Sequence, residues 1–387
     1  MRLILDSALF DVQSEAEATA LVDLFITVTR DPLHHALLTD PPYLHGAQNG
    51  QIDVWLDRRD PREASAFRRL LATGLFINAA RPIGGGASDL MSPRRWHLEG
   101  SLTFRVERRT ESDWSGRALM ISDAAGLLRE PIHLVLENER TELAFVCVLA
   151  GSTNGGTLRA LVDEPGRITV HGGGGGEAKK WIEALAESPP TSAIWRRMLR
   201  TWVLFDKDAG DPDVCTPSSS AIVLLALCER VVSVHGPGLT WVCLCRREIE
   251  SYVPNSGLLE ESLPVHAPLV QQVISWRSDS LLASHAWAFD LKNGLRGDLR
   301  ADLPQATRKA LKDGTIPLAA HMLKPPFASL SPGDIISLDC GLTERLGKAL
   351  RTTPARAWTS DFPAEYDRGP TDQAPRDLFV QSLFDRM

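Results

Sequence analysis

Four acidic residues stand where two apolar stretches of the sequence end. Glu137 closes the run IHLVLE, and Glu142 follows it five residues later. Asp206 closes the run TWVLFD, and Asp208 lies two residues beyond it. Magnesium takes oxygen ligands and is usually bound by one or two carboxylates together with water and phosphate oxygens. These acids are therefore candidate metal ligands.

Each acid alone also has an ordinary structural explanation. Glu142 suits a helix N-terminus, and Asp206 or Asp208 can cap a turn. The four acids together are stronger evidence for a metal site than any one of them, because burying several carboxylates at one edge of a sheet is costly unless a cation neutralises them. We therefore predict a site for Mg²⁺, with Mn²⁺ as the alternative ion, formed by Glu137, Glu142, Asp206 and Asp208.

A run of five glycines, Gly172 to Gly176, lies between the two acidic pairs. In HGGGGGEAKK it follows an apolar stretch and opens a helical one, so that backbone amides could approach a phosphate or neighbouring carboxylates could crowd together. Gly173 is thus a secondary site candidate. The run lacks the Walker and Rossmann spacings, and a flexible surface linker is the structural alternative.

The acids can meet only if the surrounding segments form a sheet. Between Pro131 and Pro254, apolar runs alternate with helical patterns, which predicts a mostly parallel sheet flanked by helices. Open α/β sheets bind ligands at the carboxyl edge, where the acids would stand. The predicted strands are 132–137, 167–172, 201–206 and 240–250, and the predicted helices are 140–149, 177–199, interrupted at Pro189-Pro190, and 217–232.

The flanking regions differ from this pattern, and we predict domains at 1–128, 129–255 and 256–387. The first is predicted as α+β and the last as mostly helical, and the function of neither is evident. From Pro354 the chain is expected to wrap the surface rather than form a core. The N-terminal helices are predicted at 15–29 and 61–75 and the strands at 52–56, 101–109 and 117–122, and later helix-like stretches are 267–276 and 304–314.

Composition and charge limit which molecules the protein is expected to bind. With a net charge of −7 over 387 residues, contact with nucleic acid must depend on local Lys/Arg clusters or on bound cations. The six cysteines show no C-x-x-C spacing, which argues against zinc. No apolar run has the length of a membrane span or a signal peptide, so we predict a cytoplasmic protein without membrane contact.

The order of these motifs resembles the TOPRIM fold of topoisomerases, bacterial primases and OLD-family nucleases. The shared elements are the acids Glu137 and Glu142, the glycine turn, and Asp206-Lys207-Asp208. RREIESYVP, at 246–254, is similar to the segment that closes this domain in OLD-like and phage-defence TOPRIM nucleases. The resemblance covers roughly residues 130–255, about a third of the chain.

The RREIESYVP segment adds Glu248 and Glu250 as secondary site candidates. The sequence also departs from the family pattern. The usual Glu-Gly pair is Glu137-Asn138 here. The second acid lies five rather than four residues onward, so that Glu139 competes with Glu142.

The resemblance implies a magnesium-dependent endonuclease that hydrolyses DNA or RNA as the effector of an antiviral defence system. The four acids would hold one or two ions. Asp290 and Lys292, in HAWAFDLKNGLRGDL, are similar to an Asp-x-Lys-x-Gly segment of some defence-associated TOPRIM proteins. Lys292 would stabilise the leaving oxygen or the pentacovalent phosphate, or else be a helix or turn residue beside Gly294. Lys324 is a weaker candidate.

Motifs that are missing from the sequence bear on the expected partners and on the alternative functions. It contains no ATPase motif, so ATP-driven control would come from a separate ATPase or sensor subunit in an oligomer or complex. A topoisomerase needs a tyrosine nucleophile, and Tyr43, Tyr252 and Tyr366 lie in no convincing DNA-breaking module. A primase would carry a zinc-binding region. The remaining alternative is a non-catalytic TOPRIM scaffold that assembles with an ATPase or another defence subunit.

Overall fold

The structure is a computed structural model in which α-helices surround two β-sheets. Most strand pairings are parallel, which confirms the predicted α/β class. The described helices include none with the length and apolar character needed to cross a membrane. The described residues are 1–11, 14–30, 35–38, 50–74, 94–100, 102–173, 175–208, 217–342, 345–352, 360–369 and 372–387.

The N-terminal region forms a four-stranded sheet in the order β2-β1-β4-β5. All three pairings of this sheet are parallel, whereas an α+β arrangement was expected. Its strands are β1 (Arg2–Leu5), β2 (His35–Leu38), β4 (Thr103–Val106) and β5 (Ala118–Leu119), while β3 (Trp96–His97) joins the second sheet. The helices are α1 (Glu15–Arg30), α2 (Gly50–Asp57), α3 (Pro61–Gly74) and α4 (Ile121–Arg129).

One predicted strand of this region is a helix. The segment 52–56 lies inside α2, so that prediction was wrong. Ile52, Trp55 and Leu56 are buried while Val54 is exposed. The buried positions are three and four residues apart, which is the spacing of a helix face rather than the alternation of a strand.

The central sheet has five strands in the order β3-β9-β8-β6-β7. Its four core strands pair in parallel, and β3 pairs antiparallel with β9. The predicted strand 240–250 is much shorter than expected, because the chain leaves the sheet after Cys243. The parallel strands are β6 (Ile132–Leu136), β7 (Ile168–His171), β8 (Thr201–Phe205) and β9 (Thr240–Cys243).

Helices connect the strands of this sheet. The predicted interruption at Pro189-Pro190 is confirmed, since one helix ends at Glu187 and the next begins at Ser192. The latter helix is capped by the Thr191 side chain, which accepts a hydrogen bond from the Ile194 N–H at 3.4 Å. The connecting helices are α5 (Glu139–Leu149), α6 (Gly151–Asp163), α7 (Gly175–Glu187), α8 (Ser192–Leu199) and α9 (Ser219–His235).

The C-terminal region is helical, as predicted. Its last two helices correct the expectation that the chain after Pro354 only wraps the surface, because Phe362, Tyr366, Phe379 and Leu383 are all buried. The helices are α10 (Asn255–Glu261), α11 (Ala267–Ser278), α12 (Ala283–Ala288), α13 (Gln305–Lys312), α14 (Pro332–Leu338), α15 (Arg345–Thr352), α16 (Phe362–Asp367) and α17 (Arg376–Phe384).

The two faces of the central sheet belong to different hydrophobic clusters. Leu134 and Leu204 pack in a cluster with the C-terminal helices, whereas Val135 and Phe205 pack in a cluster with the N-terminal region. Successive side chains of a strand point to opposite faces, which explains this division. The first cluster crosses both predicted domain boundaries, since it also contains Leu98, and the second crosses the boundary at 128/129. The three-domain division stays a prediction.

Candidate metal centre

Three of the predicted ligands converge at the carboxyl edge of the central sheet. One carboxylate oxygen each of Glu137, Glu142 and Asp206 lies within 4.8 Å of the others. Glu137 follows β6 directly and Asp206 follows β8 directly, and these strands are paired neighbours. Helix α5 begins at once after β6, with the Asn138 side chain accepting from the Thr141 N–H at 3.3 Å, and its first turn brings Glu142 back to the edge.

Backbone hydrogen bonds hold two of these carboxylates in place. The Asp206 N–H donates to Glu137 Oε2 at 3.1 Å, and the Glu137 N–H donates to Glu142 Oε2 at 2.8 Å. Glu142 is 1% exposed, whereas its competitor Glu139 is exposed. The structure therefore gathers Glu142, and not Glu139, with the other two acids.

The cluster has the chemistry that a hard divalent cation requires. Asp206 Oδ1 and Glu248 Oε1 are buried without a hydrogen-bond partner in the described part of the chain. Leaving a buried carboxylate oxygen unpaired beside other acids is costly, and a bound cation would remove that cost. The three converging carboxylates thus fit Mg²⁺ or Mn²⁺, both of which prefer oxygen ligands.

Acidic residues outside the group of three also affect the pKa values at the centre. Burial raises the pKa of Asp206 well above the usual carboxyl range, and the charges of Glu142, Glu250, Glu137 and Glu248 raise it further. Burial likewise raises the pKa of Glu142, with Glu137 as the next cause, and that of Glu248, with Glu250 as the next cause. Glu248 and Glu250 therefore lie close enough to act on the centre.

These raised pKa values predict a pH-dependent response to metal. Carboxyl groups with a raised pKa stabilise the fold below the unfolded-state pKa of about 4, and this stabilisation is lost as pH rises through the folded-state pKa. We therefore expect the contribution of these acids to the stability of the metal-free protein to fall from about pH 4 upward. Cation binding displaces the protons, so stabilisation by Mg²⁺ or Mn²⁺ should increase with pH.

Thermal unfolding in EDTA, Mg²⁺ or Mn²⁺ at several pH values measures this response. Ca²⁺ tests whether the effect depends on the size of the ion. A metal-induced increase in Tm that is equal at all pH values would contradict the assignment of these protonated acids to the metal centre.

The fourth predicted ligand lies outside the group of three. Strand β8 ends at Phe205, so Asp206 and Asp208 do not share one side of a continuing strand, as the sequence suggested. Asp208 has a φ of 50° and is exposed. Its charge nevertheless raises the pKa of Glu137, after burial as the main cause. Asp208 is therefore near the centre but at its outer side.

The glycine run allows a close contact at the same edge. A Cβ atom on Gly172 would lie 2.6 Å from the Cβ of Glu139, which no ordinary side chain tolerates. Glycine is therefore required where the turn after β7 passes the start of α5. Gly173 is exposed, and Gly174 lies outside the described residues.

A buried arginine joins the C-terminal region to the centre. The Arg247 guanidinium contacts Asp290 at 3.0 Å and also binds Asp298, while its backbone carbonyl accepts from the Asp208 N–H at 2.9 Å. Burial raises the pKa of Glu248, and the backbone of Lys292 acts on that pKa in the opposite direction. Arg246-Arg247 is one of the local basic pairs of the sequence, but the pairing of Arg247 with Asp298 was not predicted, because these residues are 51 positions apart.

Comparison of the chain with protein-family models, with curated proteins and with solved structures found no match. The structural class of this protein is therefore assigned from its own sheet and site. It is an α/β protein with a mostly parallel central sheet, at whose carboxyl edge three acidic residues could hold a metal ion.

Proposed function

We propose that this protein is a TOPRIM-like, metal-dependent nuclease that hydrolyses phosphodiester bonds of DNA or RNA. The observation that carries the proposal is the convergence of Glu137, Glu142 and Asp206 at the carboxyl edge of a parallel sheet. The unpaired oxygen of Asp206 and the TOPRIM-like order of the motifs support it. A purely structural role would not explain why these acids are gathered where open α/β sheets bind ligands.

A bound Mg²⁺ or Mn²⁺ would activate water and neutralise charge at the scissile phosphate. Residues of the chain would bind the ion and orient its ligands. Glu137, Glu142 and Asp206 offer the ligand oxygens, and the backbone N–H groups of Asp206 and Glu137 fix the orientation of two of them. Hydrolysis adds water to the phosphorus and breaks one P–O bond, which leaves a phosphate monoester and a hydroxyl end.

The proposal includes a setting for this activity. By analogy with phage-defence TOPRIM proteins, the chain would be the effector of an antiviral defence system, in an oligomer or complex with a separate ATPase or sensor subunit. Its net charge of −7 means that substrate binding would depend on the metal and on local cations. The lysine and arginine side chains near the three acids are therefore important to the proposed binding of substrate.

A matched pair of glutamate variants tests the site. Glu142→Gln and Glu139→Gln both change the first turn of α5, but only Glu142 belongs to the buried cluster. We expect the parent protein to cleave plasmid, single-stranded DNA or total RNA in Mg²⁺ or Mn²⁺ and not in EDTA. Glu142→Gln should lose this activity, and Glu139→Gln should retain most of it.

Two outcomes would go against the proposal. Equal cleavage by Glu142→Gln and the parent would indicate a different site or a contaminating nuclease. A parent protein that binds metal and is correctly folded but cuts none of the three substrates would favour the non-catalytic scaffold.

A further inference from the structure

The cations beside the metal centre differ in how far they are already engaged. Arg247 is fully used, since one of its amino groups binds Asp298 and the Ala288 carbonyl, at 3.3 Å for the latter. The other binds Asp290 at 3.0 Å and the Gly297 carbonyl at 2.9 Å. These contacts fix the guanidinium within the protein, so that Arg247 is not available to a ligand.

Lys324 is engaged much more loosely. Its Nζ lies 3.9 Å from Asp298 Oδ1, which is longer than a hydrogen bond, and the same oxygen already accepts from Arg247. The side chain is 31% exposed. Lys324 therefore has a charged group that can reach a ligand without breaking a strong contact.

The position of Lys324 is fixed by its backbone. Its N–H donates to the Asp298 carbonyl at 2.9 Å, and the preceding Leu323 forms an antiparallel bridge with Leu299. Asp298 is fully buried and bound to Arg247, whose carbonyl accepts from the Asp208 N–H at 2.9 Å. This chain of contacts leads from Lys324 to the outer side of the metal centre.

The electrostatics agree with this position. Burial lowers the pKa of Lys324, and Arg247 lowers it further, while the charges of Asp298, Asp290 and Asp208 act in the opposite direction. Of these carboxylates Asp208 has the smallest effect on Lys324, to which it is linked through Asp298 and Arg247. The backbone of Lys292, the lysine favoured by the sequence, instead lowers the pKa of Glu248 against the larger effect of burial.

A polyanionic substrate that approaches this centre meets several carboxylates. A lysine at its rim would offset their repulsion, because an ammonium binds a phosphate oxygen as a compact point charge. We infer that Lys324 contacts a phosphate of the nucleic-acid substrate on the Asp208 side of the metal centre. This inference rests on the proposed nuclease function and names the residue that would hold the substrate there.

Cleavage by variants of Lys324 tests the inference. The variants are Lys324→Ala, the neutral but longer Lys324→Gln, and the charge-conserving Lys324→Arg, with Lys312→Ala as an exposed control from α13. We expect Lys324→Ala and Lys324→Gln to lower kcat/KM by roughly 10-fold to 100-fold, as for the loss of one charge-assisted hydrogen bond. Lys324→Arg should recover part of the loss, and Lys312→Ala should match the parent.

Salt dependence separates phosphate contact from a merely structural role. Binding of labelled single-stranded and duplex oligonucleotides is measured by fluorescence anisotropy in Ca²⁺ over a range of salt concentrations. If Lys324 contacts a phosphate, its neutral variants should reduce the slope of log affinity against log salt by about 1. A variant that only disturbs the fold would instead lower Tm and leave the slope unchanged.

The outcomes distinguish this inference from the nuclease proposal. If the parent cleaves, and the neutral variants match it in rate and salt slope, Lys324 is not a phosphate contact and the nuclease proposal stands. If the parent binds oligonucleotides without cleaving, and the neutral variants show the reduced slope, the Lys324 inference stands and the nuclease proposal fails. A parent that neither binds nor cleaves overturns both.

Discussion

Replacing Asp206 with asparagine is expected to lower metal-dependent cleavage by roughly 1,000-fold, because a metal ion contributes several kcal/mol to the transition state and each 1.36 kcal/mol is a factor of ten. Asparagine is close to aspartate in size, so the fold should be retained. It has no negative charge, and Asp206 is one of only three residues of the acidic group in the described part of the chain. The variant should therefore bind metal poorly.

The same substitution should make the metal-free protein more stable. Asp206 Oδ1 is buried without a hydrogen-bond partner among the described residues, and its neighbours Glu137 and Glu142 are also acids. Above the pH at which Asp206 ionises, an asparagine amide can donate to these carboxylates and removes one repelling charge. The expected gain is about 1–3 kcal/mol, which is the usual cost of an unsatisfied buried polar group.

Two measurements on Asp206→Asn check this pair of effects. Initial cleavage rates in Mg²⁺ give the loss of activity, and urea unfolding in EDTA gives the gain in stability. Asp313→Asn, at an exposed position, serves as the control and should change neither. If Asp206→Asn loses activity and stability together, the site is a structural element rather than a strained metal centre.

The second large effect is expected for Arg247→Met, which should destabilise the protein by about 3–5 kcal/mol, as is usual when one partner of a buried ion pair is removed. The variant would leave Asp290 and Asp298 buried without their cation. Burial already raises the pKa of Asp298 to about 6, against the opposing effect of Arg247. Without Arg247 this pKa rises further, so the loss of stability should be larger at high pH than at low pH.

Urea unfolding at acidic and alkaline pH measures the effect. Arg300→Met is a matched control, because Arg300 also pairs with an aspartate of this region, Asp302, but both side chains are largely exposed. Exposed ion pairs contribute little, so the control should hardly change the urea midpoint. Equal midpoints for both variants would show that the Arg247 cluster is not the buried anchor that the structure describes.

The position of three of the four candidate metal ligands could be predicted from the sequence, because their signal is local. Apolar runs that end in an acid identify β6 and β8, and parallel strands bring their ends to one edge. The choice between Glu139 and Glu142 could not be made this way, because both lie in the first turn of a helix. Which of them faces the sheet depends on how α5 packs. The TOPRIM identity stays a prediction.

Other parts of the structure depend on contacts that no local pattern records. The short apolar segment 52–56 fits a helix or a strand equally well, and packing of Trp55 against Phe25 and Phe67 accompanies its helical form. The burial of Phe379 depends on Trp202 in the distant central sheet. For the same reason, no local pattern indicates that Lys324 lies beside Asp298.

The two hydrophobic clusters on opposite sides of the central sheet limit how the protein can be divided. Trp202 is buried on the side of the C-terminal helices, and Trp241 on the side of the N-terminal region. Removing either terminal region would uncover a broad apolar surface instead of releasing a self-sufficient domain. The three carboxyl groups thus owe their arrangement to both halves of the polypeptide, although all of them come from its middle third.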